Sequence, residues 1–138
     1  MPLALASLPT WILSSAATRS HQILHRHLAQ AGVDGYAYRC LTALARAGQL
    51  SQSELANATA LDPRDVTHTV RALKDQGLVS REKDPGHGRK VLVSLTDAGS
   101  RAAKRLSRVM DDVQAEVFGR LSRQERSTLL RLLERVAV

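Results

Sequence analysis

Arg64, Thr67, His68, Arg71 and Lys74 recur at three- and four-residue intervals between Pro63 and Gln76. On a helix that turns by about 100° per residue, with Arg64 as zero, they gather into one arc from about 280° to about 40°. Val66, Val70 and Leu73 gather on another arc, at about 180–240°, and Asp65 lies off the basic arc near 100°. A helix that seats one side in a core and offers Arg, Thr and His on the other can meet base edges in a DNA major groove. There a guanidinium fork matches the two acceptors of guanine. A solvated amphipathic surface helix shows the same pattern, so its neighbours must decide. A second basic set follows: His87, Arg89 and Lys90, in and beside the turn-rich run from Asp84 to Arg89.

Other residues could do different chemistry. His21 and His25 stand four apart, with His27 close by, a spacing that can chelate a metal ion on one helix face. No carboxylate or further Cys accompanies them locally, so no metal site is assigned. Cys40, the single cysteine, excludes an internal disulfide and fits a reducing compartment. It adjoins the apolar Leu41 and Leu44, where a thiol is usually a small core group, and redox sensing there is an alternative. The chain has no glycine-rich phosphate loop, nucleophile elbow or acid pair in an apolar frame. Neither enzymatic activity nor a cofactor is expected.

The charge balance supports a polyanionic partner. Twenty Lys and Arg against thirteen Asp and Glu leave a net charge of +7 over 138 residues, and sixteen of the twenty cations are Arg. Aromatic residues are 3% of the chain, which disfavours the stacking platforms that single strands need and points to duplex DNA. The apolar stretch from Leu3 to Ala17 lacks a basic start, and no run reaches the length of a membrane span. A cytoplasmic protein without a membrane partner is expected.

Glycines, prolines and caps divide the chain into the elements that must hold these residues. The spacing predicts a helix over Leu8–Ala31 and a second over Gly35–Ala47, capped by Asp34 and stopped by Gly48. Ser51 and Glu54 form a capping box for a short helix to Ala58, and Asp62-Pro63 opens the basic helix that Gly77 ends. Leu78–Lys83 and Lys90–Leu95 read as strands around a hairpin tip at Asp84–Arg89. Thr96 caps a long helix to Leu121, and the box Ser122/Glu125 opens a last, Leu-rich one. The short helix and the basic helix have the proportions of a helix-turn-helix, and the hairpin makes a wing.

The segments Leu50–Ala56, Leu61–Pro63, Gln76–Val79 and Val93–Gly99 make the chain similar to the MarR family of winged helix-turn-helix regulators. Similarity is densest over 33–99. It implies a mainly α winged helix-turn-helix, α-α-α-α-β-β-α-α, with a helical dimerisation region from the first and last two helices. The implied division is residues 1–32 for dimerisation, 33–99 for the DNA-binding lobe and 100–138 for dimerisation. It implies a homodimeric repressor on a palindromic operator in double-stranded DNA, released by a small aromatic or phenolic effector.

The candidate DNA contacts are Ser51, Gln52, Arg64, Thr67, His68, Arg71, Lys74, His87, Arg89 and Lys90. Trp11, His21, His25, Tyr36 and Tyr38 are the candidate effector pocket, at the junction of the first, second and fifth helices. The chain departs from the family pattern at Ala60, where a turn glycine is usual, and at His87, where the wing carries Asp. It departs again at Asp65 and His68, where Thr and Arg are common. Redox or metal sensing in the same fold, and a winged-helix module that binds protein instead of DNA, are the alternatives.

Overall fold

The computed structural model describes residues 3–138. After a short 3-10 turn at Leu5–Ser7 come α1 (Pro9–Gln30), α2 (Gly35–Ala47), β1 (Gln49–Ser51), α3 (Gln52–Thr59) and α4 (Pro63–Asp75). β2 (Val79–Asp84), β3 (His87–Leu95), α5 (Asp97–Phe118) and α6 (Arg123–Ala137) complete the order. This is the expected mainly helical winged helix-turn-helix, with one strand more than the sequence indicates. β1 has only three residues, too few for any periodicity, and it forms because β3 offers it an antiparallel edge: Gln49 faces Ser94, Leu50 faces Val93 and Ser51 faces Leu92. The sheet order is β1-β3-β2.

The chain divides into two compact units. One comprises Leu28–Val109, the other the residues up to His27 together with Met110–Val138. The division falls inside the two long helices, at 27/28 and 109/110, whereas the sequence places boundaries at 32/33 and 99/100. Leu28, Ala102 and Leu106, all buried, therefore belong to the larger unit.

Within Leu28–Val109, helices α2, α3 and α4 pack on one another and on the sheet. Leu44, Leu55, Val66, Val70, Leu73 and Val93 are fully buried there, so the apolar arc of α4 faces the core. The Asp62 carboxylate accepts from the Arg64 N–H at 2.8 Å, and Pro63 fills the first turn without wasting a donor. At the far end Gly77, at φ 75°, lets its own N–H and that of Leu78 reach the Lys74 and Leu73 carbonyls at 2.9 Å. The same double closure ends α3 around Ala60, whose N–H and that of Leu61 reach Asn57 and Ala56 at 3.4 and 3.2 Å. Ala60 sits at φ 54°, the one non-glycine residue with positive φ among those described.

The wing turns more tightly than the sequence suggests. Pro85 and Gly86 alone form the loop, fastened by the Asp84 carboxylate accepting from the Gly86 N–H at 2.9 Å. The ladder then changes register: Asp84 faces His87, whereas Lys83 faces Val91. Gly88, Arg89 and Lys90 bulge out between the two pairings.

In the other unit, Glu116 accepts from Arg26 and pairs with His27 at 3.0 Å, and Arg19 donates to the Val117 carbonyl at 3.2 Å. The second capping box is complete, with Glu125 accepting from the Ser122 N–H at 2.9 Å. No residue of α6 is buried, although its Leu-rich face is apolar.

Two predictions follow from these local geometries. Left-handed backbone disfavours alanine by about 1–2 kcal/mol, while glycine gives back up to about 1 kcal/mol through the freer unfolded chain. Ala60→Gly should therefore stabilise the protein by about 0.5–1 kcal/mol, read as a higher urea midpoint with unchanged slope. The second concerns acid. The backbone and hydroxyl of Ser51 hold the Glu54 carboxyl below its ordinary 4.5, as Ser122 does for Glu125 and Arg26 with His27 for Glu116. A carboxyl depressed in the folded state contributes stability that is complete above its unfolded value and lost as pH falls through the folded one. The melting temperature should hold from neutral pH down to about 4.5 and decline below it. In the double variant Glu54→Gln, Glu125→Gln that decline should be shallower.

Candidate nucleic-acid interface

The basic arc of α4 is built as the sequence expects. Arg64, His68, Arg71 and Lys74 are exposed and Thr67 is half-buried beside them. The cap at Asp62 fixes where the helix begins, and the closure at Gly77 fixes where it ends, so the arc is held at both ends. Thr67 is tied inward: its hydroxyl donates to the Pro63 carbonyl at 3.0 Å and accepts from Gln52 Nε2 at 3.3 Å. The other end of that amide, Gln52 Oε1, is buried without a hydrogen-bond partner.

The start of α3 and the wing meet around one concavity of about 480 Å³, lined by Ser51, Gln52, Ser53, His87, Arg89, Lys90 and Val91. Exposed His87, Arg89 and Lys90 put cationic and donor groups beside the positive end of α3, an arrangement suited to a backbone phosphate. Lys90 is also close enough to favour the ionised form of Glu54. Ser51 requires a correction. It is 1% exposed and its hydroxyl accepts from the Glu54 N–H at 3.1 Å, so it caps α3 and has no side-chain surface to offer DNA.

On its other flank α4 walls a cavity of about 600 Å³. His68, Thr69, Ala72, Leu73 and Gln76 come from α4, and Tyr36, Leu41, Arg105, Leu106 and Val109 are among the residues opposite. Of the five expected pocket residues, Tyr36 lines this cavity and Tyr38 lines a separate concavity with Arg39 and Arg46. Trp11, His21 and His25 stand on the part of α1 that belongs to the other unit. The sequence does not indicate that Arg105, Gln76 and His68 line one cavity. The available signal was the run of small and polar side chains, Ala72 and Gln76, that lies on the helix between His68 at the edge of the basic face and Thr69 at the edge of the core.

Cys40 is fully buried, and burial, with the Asp34 carboxylate adding, pushes its thiol up to about 11. Burial and the upward shift both disfavour the thiolate on which the redox alternative depends. His21 and His25 are exposed with ring centroids 6.5 Å apart, and His27 is engaged by Glu116. Among the described residues no three His, Cys, Asp or Glu gather as a metal site, and no helix is long and apolar enough to cross a membrane.

The family model described as MarR matches residues 31–90, which span the helix-turn-helix and reach the wing. The repressor NicR of Pseudomonas putida is 30% identical over 125 residues, covering 91% of this chain and 79% of that protein. The chain belongs to the MarR family. It is a helix-turn-helix transcriptional regulator. BpsR of Bordetella bronchiseptica, whose structure concerns regulation of its DNA binding by 6-hydroxynicotinic acid, superposes with a TM-score of 0.84 at 26% identity. That similarity covers 99% of this chain and 98% of the other. PcaV of Streptomyces coelicolor, solved with its natural ligand, gives a TM-score of 0.80 at 26% identity, over 99% of this chain and 96% of that one. In this MarR-family chain the bulged tip brings Arg89 to the concavity at the start of α3. Arg89→Ala should weaken duplex binding and lower the salt slope of the logarithmic affinity by about one, without changing sequence preference. Titrations across a salt series check this.

Proposed function

We propose that this regulator is a repressor that grips a palindromic operator as a homodimer and lets go when a small aromatic acid fills the cavity behind α4. The observation that carries the reading is that one helix presents the basic arc on one flank and walls the 600 Å³ cavity on another. A ligand there touches the reading helix itself. It can shift DNA affinity if it prefers the dimer geometry that does not fit the operator. The lining suits a flat ring: Leu41, Leu73, Leu106 and Val109 are apolar, and Arg105 supplies a cation for a carboxylate, with Tyr36, His68 and Gln76 as further polar anchors. The regulation of BpsR by 6-hydroxynicotinic acid supports this class of effector.

The second copy is supported by α6. A helix of fifteen residues with none buried has little beyond its capping box and partial contacts to hold it against unfolding, since isolated helices of that length are marginal in water. Leu130, Leu132 and Val136 on α6 are exposed, as are Trp11 and Ile12 on α1. A twin of this chain covers such a surface and gives the two-fold symmetry that an inverted repeat demands. Dimerisation accordingly falls to 1–32 and 100–138, and reading to the lobe at 33–99. The candidate contacts are Gln52, Arg64, Thr67, His68, Arg71, Lys74, His87, Arg89 and Lys90.

Selection from random duplexes should return an inverted repeat with half-sites about one helical turn apart, bound by a species of twice the chain mass. Arg71→Ala, at the centre of the arc, should cost about 1–3 kcal/mol on that duplex and relax preference at one position of each half-site. Added 6-hydroxynicotinic acid should release the wild-type complex and leave Arg105→Ala bound. Retention of full affinity and preference by Arg71→Ala would remove α4 as the reader, and indifference of both proteins to the acid would remove this effector class.

A further inference from the structure

A threonine offers DNA two different groups, a hydroxyl that reads hydrogen-bond acceptors or donors and a methyl that reads apolar surface. In this chain the donor hydrogen of the Thr67 hydroxyl is already spent. Its one hydrogen goes to the Pro63 carbonyl at 3.0 Å. One of its lone pairs takes the hydrogen of Gln52 Nε2 at 3.3 Å. No hydrogen is left for guanine O6, for a purine N7, for thymine O4 or for a phosphate.

The lock is set from outside the helix. Gln52 is the first residue of α3, directly after the Ser51 cap, and the strand β1 that precedes it is paired to β3. The amide that meets Thr67 is therefore carried by a fixed backbone, with Nε2 toward the hydroxyl and Oε1 buried without a partner. Thr67 meanwhile lies within the basic arc, three residues after Arg64 and four before Arg71, and is half-exposed. With its hydrogen used inward, Thr67 brings to that arc a methyl group beside an oxygen that can accept but not donate.

We propose that Thr67 is a specificity-determining residue that reads the 5-methyl group of a thymine in the operator. Gln52 acts as the positioning residue that keeps the hydroxyl turned away. Thymine is the one standard base with a methyl in the major groove, so the apolar contact selects it without a hydrogen bond. The inference rests on α4 being the reading helix and adds which base feature one of its side chains recognises.

The test replaces each thymine of the selected operator in turn by deoxyuridine, which lacks only the methyl, and measures binding by the full-length protein. At one thymine per half-site the wild type should lose about fourfold in affinity, the worth of one buried methyl-sized group. Thr67→Val keeps a methyl and the branched shape that suits the same rotamer, and should preserve that loss. Thr67→Ser keeps the hydroxyl and drops the methyl, and should bind the thymine and deoxyuridine duplexes equally at that position. Equal sensitivity to deoxyuridine in wild type and Thr67→Ser at every position would overturn the proposal while leaving α4 as the reader. So would a Thr67→Val protein that loses thymine preference while Thr67→Ser keeps it, since the hydroxyl would then be the reading group. Failure of the wild type to select any duplex sequence would be a different result, removing the reader assignment and this proposal with it.

Discussion

Three elements of the Leu28–Val109 unit are tied together by one residue, Thr96. Thr96 donates to the Gly77 carbonyl at 2.6 Å, accepts from the Gly99 N–H at 3.1 Å, and through its own N–H reaches the Leu78 carbonyl at 3.1 Å. The end of α4, the entry to β2 and the first turn of α5 thus share a single node. Gly99 completes it: a Cβ there would lie 1.9 Å from the Leu78 carbonyl oxygen, so only glycine allows the helix to come this close to the chain. That node ties the C-terminal end of α4 to β2 and α5, and the burial of Val66, Val70 and Leu73 sets which side of the helix faces the core. The direction of the basic arc is then a property of the backbone framework more than of the arc residues themselves.

That framework was legible in the sequence wherever the cause is local. The two capping boxes, the Asp62-Pro63 start, the glycine stop at Gly77 and the burial of Val66, Val70 and Leu73 depend on neighbours within a turn of helix. They are found where the spacing places them. The run from Thr96 to Gly99 was recognisable as a family signature, but its physical reason needed the fold, because Leu78 is distant in sequence. β1 and the register change in the wing were not legible, since a three-residue strand has no period and a bulge depends on which partner residues pair. The cavity escaped for the same reason. Arg105 and His68 are separated by an entire hairpin, and no periodicity within either helix announces that they line one space.

Three surfaces of α4 divide the work of the lobe. One packs into the core, one carries the cations, and one closes the cavity, and thirteen residues suffice because the turns of the helix interleave them. His68 belongs to two of these surfaces, exposed at the edge of the basic arc and lining the cavity. A chain with arginine at that position would place a longer, permanently charged group on the same border. The departure from the family pattern at His68 is therefore a change at the border between the basic arc and the cavity, and not in the arc alone.

The bulge at Gly88–Lys90 has a consequence for how such a protein diversifies. Below it, the pairing from Val79 with Leu95 to Lys83 with Val91 fixes the sheet; above it, Asp84 with His87 closes a separate small loop. Because the two pairings are out of step, residues can be gained, lost or exchanged at the tip without sliding the ladder beneath, whose inward side chain Val93 is fully buried. The wing is in this sense a cassette. The charge and reach of its tip can change while the ladder beneath keeps its register and the lobe its fold.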